Sequence, residues 1–269
     1  MAEISAQDVK ALREATGAGI MDAKRALVET DNNPEEATKW LRERGLGKAA
    51  ERSDRHNAEG VVTVATSPDA HVAALVEVKC ESDFVAKTPQ LVGLAQEIAE
   101  AVVTQGDQAV EAKKDALDNA KITLKENIEL GRVIRFEAAS GNVLATYLHV
   151  QSGRGVNGIL VEVASGSAEM AHDIAVHIAF GQPEYLNRNE VPPEAVAAER
   201  SALEAETRNE GKPEAAMQKI VEGRLNGWYK RVPGGVLLEQ PFAKDDKKTV
   251  TAMLGEASIV RFAQARIGA

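Results

Sequence analysis

The chain has 269 residues, 44% hydrophobic and 27% charged, the balance of a water-soluble folded protein rather than a fibrous or disordered one. A net charge of −9 sets it against phosphate backbones, so direct nucleic-acid binding is not expected. The single cysteine, Cys80, excludes an internal disulfide framework. No stretch approaches the roughly 18 apolar residues of a membrane helix, and Met1–Ser5 lacks the pattern of an export signal, so a cytoplasmic protein is expected.

Residues 1 to about 45 are predicted to form three helices. Ser5 and Asp8 make a capping signal, with Val9 and Leu12 on one face and Gly17 as a stop. A second helix follows Gly19, with Ile20, Ala23 and Leu27 at helical spacing. Asn33-Pro34 starts a third, which turns Ala37, Trp40 and Leu41 inward and ends at Gly45 and Gly47. Residues 46–59 are highly charged and are expected to be an extended or helical linker.

The pattern then changes to period two. Val62–Thr66 and Val72–Val78 are predicted strands joined by the turn Ser67-Pro68-Asp69-Ala70. A helix runs from about Pro89 to Thr104, a weaker one over about 110–127, and a strand over Val133–Ala138. A second set follows: strands Val143–Val150 and Ile159–Ala164 around a glycine-rich loop, then a helix Ala168–Phe180. An Ala/Glu-rich helical hairpin is expected at about 191–229, divided at Gly211-Lys212-Pro213. Met217, Ile220, Val221, Leu225 and Trp228 line its second arm. A strand at Val236–Glu239, a helix at Thr249–Leu254 and a strand at Ser258–Ala263 close the chain. The fold class is α+β, divided as residues 1–55, 56–140 and 141–269.

Several motifs could carry chemistry. Gly153-Arg154-Gly155-Val156-Asn157-Gly158 fits a dinucleotide fingerprint, but a strand follows where that motif needs a helix, so a hairpin loop is favoured. Glu169, His172 and His177 share a helix without the spacing of a metal pair, which favours one packed histidine. Cys80 with His149 could make a nucleophile and base, yet Glu81 and Asp83 would raise the thiol pKa. No catalytic residue, cofactor site or metal site is expected. Cys80-Glu81-Ser82-Asp83-Phe84-Val85-Ala86-Lys87 sets an acid and a large aromatic where a strand hands over to a helix. Taken alone, that run fits a turn-capping Asp83 and a Phe84 packed under the next helix.

Three ordered motifs give a different answer. Thr16-Gly17-Ala18-Gly19-Ile20-Met21-Asp22-Ala23-Lys24-Arg25-Ala26-Leu27 resembles the T-G-A-G-M-M-D-C-K-K-A-L opening of the bacterial elongation factor Ts family. Cys80–Lys87 resembles its C-x-T-D-F-V-A-K, with Ser82 in place of the usual Thr. Gly211-Lys212-Pro213 and Ile220-Val221-Glu222-Gly223-Arg224-Leu225 resemble its G-K-P and I-V-E-G-R segments. The match spans residues 1 to about 262. Some members continue into an extra C-terminal helical module, which is not expected here. The resemblance implies a non-enzymatic guanine nucleotide exchange factor for elongation factor Tu, binding it GDP-loaded or nucleotide-free, away from membranes. It implies an N-terminal domain of the ubiquitin-associated type, then two α+β subdomains with a projecting helical hairpin. It assigns Ser82, Asp83, Phe84 and Val85 to a wedge that dislodges the partner's Mg²⁺. Ile20 and Met21 fall to docking the same nucleotide domain, and His149 to a contact with another domain of the partner. An adaptor or chaperone that docks through the N-terminal helices is the alternative.

Overall fold

The computed structural model describes residues 4–268 of an α+β protein. Helices α1 (Ala6–Thr16), α2 (Ile20–Glu29) and α3 (Pro34–Ala50) form a small bundle around Leu12, Ala23, Ala26, Leu27 and Ala37. The Ser5 hydroxyl accepts from the Asp8 amide, and the Asp8 carboxylate accepts from the Ser5 amide, so two otherwise unpaired donors are satisfied reciprocally. The Asn33 side-chain oxygen caps α3 by accepting from the Glu35 and Glu36 amides.

Next come β1 (Glu59–Thr66), β2 (Val72–Cys80), α4 (Asp83–Ala86), α5 (Pro89–Gln105), α6 (Ala109–Ala112), α7 (Lys114–Leu124) and β3 (Glu129–Glu137). The strands pair antiparallel with β2 central. Alternate residues divide between the two faces. Val61, Ala74, Val76, Val78 and Cys80 meet Leu91, Ala95, Ile98 and Val102 of α5. Val62, Ala73, Leu75 and Phe136 point the other way.

The remaining elements are β4 (Asn142–Gln151), β5 (Arg154–Ala164), α8 (Ala168–Gly181), α9 (Pro193–Asn209), α10 (Glu214–Tyr229), β6 (Pro241–Phe242), β7 (Asp245–Thr249), α11 (Val250–Leu254) and β8 (Ser258–Arg266). A second antiparallel sheet has the order β4-β5-β8. Ile159, Val161 and Val163 face α8, and Leu160 joins Leu144 and Ala265 against the first sheet. The architecture is therefore helix, sheet, sheet, helix, with β2 and β5 at the centre of their sheets. Each fully buried Leu or Ile in these layers contributes on the order of 1.5–3 kcal/mol.

Four expectations need correction. The glycine-rich segment is not a loop: the turn is only Ser152-Gly153, both at positive φ, and Arg154 already begins β5. Gly155 and Gly158 lie inside the strand, where the sheets approach most closely. A Cβ on Gly155 would stand 2.1 Å from the Val62 carbonyl oxygen, and one on Gly158 2.6 Å from Val62 Cγ1. The spacing that resembles a dinucleotide fingerprint is thus a device for sheet-on-sheet contact. Helix α3 also continues through Gly45 and Gly47. Gly45 faces Ile122 of α7, and a Cβ there would come within 2.8 Å of that side chain. Gly45 is therefore spent on helix packing rather than on stopping α3. The weaker helix over 110–127 divides at Lys113 into α6 and α7. Residues 236–239 form no strand: Val236 makes a single bridge to Tyr185, and Leu237–Glu239 is one 3-10 turn.

His177 on α8 is fully buried. Its Nδ1 accepts from the Ala243 amide at 3.1 Å, so Nε2 carries the proton and donates to Gln240 Oε1 at 3.0 Å. The Gln240 amide group donates onward to Gly181 O and Arg231 O. Burial holds the imidazole below its ordinary 6.5, opposed only in part by the Gln240 bond. The unfolded chain binds a proton near pH 6.5 that the folded chain refuses, so stability present above 6.5 is lost as pH falls towards the depressed value. Denaturant melts of wild type and His177→Gln from pH 7.5 to 5 are expected to show a steeper loss for wild type. Separately, Gly155→Ala is expected to cost about 2 kcal/mol or more in urea unfolding; an unchanged midpoint would contradict the sheet-contact account.

Candidate functional site

Strand β2 ends at the fully buried Cys80, whose thiol donates to the Ser82 carbonyl oxygen at 3.2 Å. Burial, and then the negative charge of Glu126, push that thiol up to about 12. Cys80 therefore packs under the loop and carries no thiolate at neutral pH.

Ser82 then caps the four-residue helix α4, its hydroxyl accepting from the Val85 amide at 3.3 Å. The cap is Ser82, not Asp83. The same hydroxyl donates to Glu126 Oε1 at 2.5 Å. Glu126 Oε2 accepts from the amides of Glu81 and Ser82 at 3.0 and 3.1 Å. Glu81 in turn accepts from the Asn127 amide at 2.6 Å and pairs with Arg55. The buried Asn127 side chain donates to Ser53 O and Arg55 O. On the far side, Val85 O accepts from both the Thr88 amide and hydroxyl, and Thr88 caps α5. Ala86 is fully buried.

One ring escapes this packing. Phe84 is 81% exposed, so it does not plug the space beneath α5. That leaves a large aromatic ring bare on an anchored turn, a candidate contact point. Beside it, Asp83 pairs with Lys87, four residues on. That hydrogen bond holds the Asp83 carboxyl below its ordinary range, so it is ionised at neutral pH.

A chain of contacts relates the other expected residues to this loop. Arg154, at the start of β5, donates to Gly60 O and pairs with Glu59 at 2.6 Å. Glu59 stands opposite Cys80 in the β1–β2 register. His149 lines one cleft with Arg154, Glu59, Tyr147 and the exposed Phe180. It shares no hydrogen bond with Cys80 among the described residues. On the other side, Gly17 packs close to Thr123, whose hydroxyl accepts from Gln90 on α5. Ile20 and Met21 open α2 just beyond that turn, 59% and 75% exposed. Val28, Val150 and Val260 are also exposed. The histidine expected to be packed on α8 is His177, while His172 and Glu169 lie at the surface.

Glu126 and Asn127 were not anticipated. They follow Lys125, which ends α7 in the left-handed region at φ 61° and turns the chain back towards the loop. A lysine gives no local sign of that conformation, and the partners lie more than forty residues away in sequence.

Known proteins similar to this chain share one description. The family model described as "Elongation factor TS" matches residues 81–269. The chain is 44% identical to "Elongation factor Ts" of Acidothermus cellulolyticus, covering 100% of this chain and 99% of that protein. It is 45% identical to the "Elongation factor Ts" of a Nocardioides species and 41% identical to that of Clavibacter michiganensis, each over the full length of both chains. By these matches the chain falls in a class of translation elongation factors. Within that class, the chain belongs to the elongation factor Ts family.

Because Phe84 buries so little surface, Phe84→Ala is expected to change the free energy of urea unfolding by no more than about 0.5 kcal/mol. Ser82→Ala, which removes both the cap and the Glu126 bond, is expected to cost about 1–2 kcal/mol. Equal destabilisation by the two would mean that Phe84 is a packing residue.

Proposed function

We propose that this protein is a guanine nucleotide exchange factor for elongation factor Tu, acting by binding alone and without catalysis of its own. The observation that carries the reading is an 81% exposed Phe84 on a turn anchored at Cys80, Ser82, Val85 and Ala86. Family membership supports the choice of partner. In this reading Ser82, Asp83, Phe84 and Val85 form the wedge. Ile20 and Met21 meet the same nucleotide domain, and His149 meets a further domain. Residues 1–55 act as a ubiquitin-associated-type docking domain, 56–140 carry the wedge, and 141–269 carry the second contact and the helical hairpin. The partner is bound GDP-loaded or nucleotide-free, in the cytoplasm, without contact to nucleic acid or membrane.

The physics is that of a differential binder. Mg²⁺ in a nucleotide site demands near-octahedral geometry and bridges protein to phosphate. A rigid ring that stabilises a distorted form of the site displaces the ion and weakens the hold on GDP. Linkage makes the effect reciprocal: nucleotide weakens binding of the factor by the same ratio. A ternary complex forms, GDP leaves, and GTP then expels the factor. Phenylalanine suits the task because it brings rigid bulk and no polar group that must be desolvated.

The test is release of a fluorescent GDP analogue from elongation factor Tu. Wild-type chain is expected to accelerate it. Phe84→Ala and Asp83→Ala, both folded, are expected to lose at least about tenfold of that acceleration, roughly 1.4 kcal/mol. Wild-type rates from both variants would remove the wedge from the mechanism.

A further inference from the structure

Building on the exchange reading, we propose that Glu126 is a positioning residue for the Asp83–Phe84 turn, fixing the angle at which Phe84 is presented. Both of its carboxylate oxygens are committed to the loop. Oε2 takes the two consecutive amides of Glu81 and Ser82, and Oε1 takes the Ser82 hydroxyl. The hydroxyl bond also carries direction. With its proton drawn to Glu126, Ser82 Oγ turns a lone pair to the Val85 amide, which is the bond that starts α4.

Glu126 thus reaches Phe84 through one oxygen atom and one turn of helix. A loop lacking this hold would have to be ordered during docking, and that entropy would oppose the complex. The adjacent Asn127 supplies a control. It ties the same turn to Ser53 and Arg55 in the segment after α3 but makes no side-chain bond to residues 81–85 among the described residues.

Three full-length variants decide the matter: Glu126→Ala, Glu126→Gln and Asn127→Ala. Gln keeps a carbonyl oxygen for the two amides and offers its own amide to the Ser82 oxygen, so it is the conservative rescue. The first readout is amide hydrogen exchange on the factor alone. In Glu126→Ala, the Ser82 and Val85 amides are expected to lose about tenfold in protection while Val76 in β2 is unchanged. The second is the maximal rate of GDP release from elongation factor Tu at saturating factor, which a purely structural role would leave alone. It is expected to fall about tenfold in Glu126→Ala and to stay within about twofold of wild type in Glu126→Gln and Asn127→Ala.

A loosened turn with a wild-type maximal rate would overturn the proposal, as would unchanged protection in Glu126→Ala. An equal fall in Asn127→Ala would overturn it in favour of a general loosening of the 125–127 turn. If wild-type chain fails to accelerate release at all, the exchange reading falls and takes the kinetic arm with it. The amide readout would still report whether Glu126 holds the loop.

Discussion

The back-to-back contact of the two three-stranded sheets is the constraint on which the rest of the molecule depends. The sheets can meet closely only because β5 offers no side chain at Gly155 and Gly158, where the backbone and side chain of Val62 press in. That contact fixes where the β4–β5 turn lies relative to the start of β1, so Arg154 can reach Glu59 and the Gly60 carbonyl oxygen. Since Glu59 stands opposite Cys80, the same contact sets the floor from which the Phe84 turn rises. The outer helices complete the effect. Helix α5 covers the first sheet and α7 delivers Glu126 and Asn127, so the turn is held from beneath and from one side.

Electrostatics follow the same division of labour. Buried charges have fixed partners: Glu162, 2% exposed, accepts from Asn142, the Ala139 amide and Arg261. Although burial opposes it, that set of donors holds the Glu162 carboxyl below its ordinary range. At the surface, pairs such as Arg42 with Asp115 are exposed and contribute about 0–1 kcal/mol each. Arg42 with Asp115 joins α3 to α7, and the Arg52 guanidinium just beyond α3 donates to Lys121 O on α7.

Much of the fold was legible because local chemistry and tertiary structure agree. Ser5 with Asp8, Asn33-Pro34, Thr88-Pro89 and Gly211-Lys212-Pro213 each mark an element boundary with a physical signal, and each boundary is there. The failures have a common cause. Gly45, Gly155 and Gly158 look like breaks, since a sequence does not distinguish a glycine needed for its backbone freedom from one needed for its missing Cβ. The apolar run at Val236 suggested a strand, but it is spent on the core with Tyr229 and Val191. At the site, Asp83 and Phe84 could be found by motif, whereas local sequence favoured a packed Phe84. Glu126 could not be found, because its meaning rests on a contact across forty-four residues to Ser82.

The helical hairpin invites a last consideration. Helices α9 and α10 share a small apolar cluster with the segments that flank them, Val191, Leu225, Tyr229 and Val236, distinct from the clusters of either sheet. Arg200 with Glu222 and Arg224 with Glu206 and Glu210 tie arm to arm, not arm to sheet. Such a unit can open and reclose without disturbing the layers that carry the Phe84 turn. In cooperative terms, ties that run mostly within the hairpin favour a shallow unit that opens before the deep layers of the two sheets do.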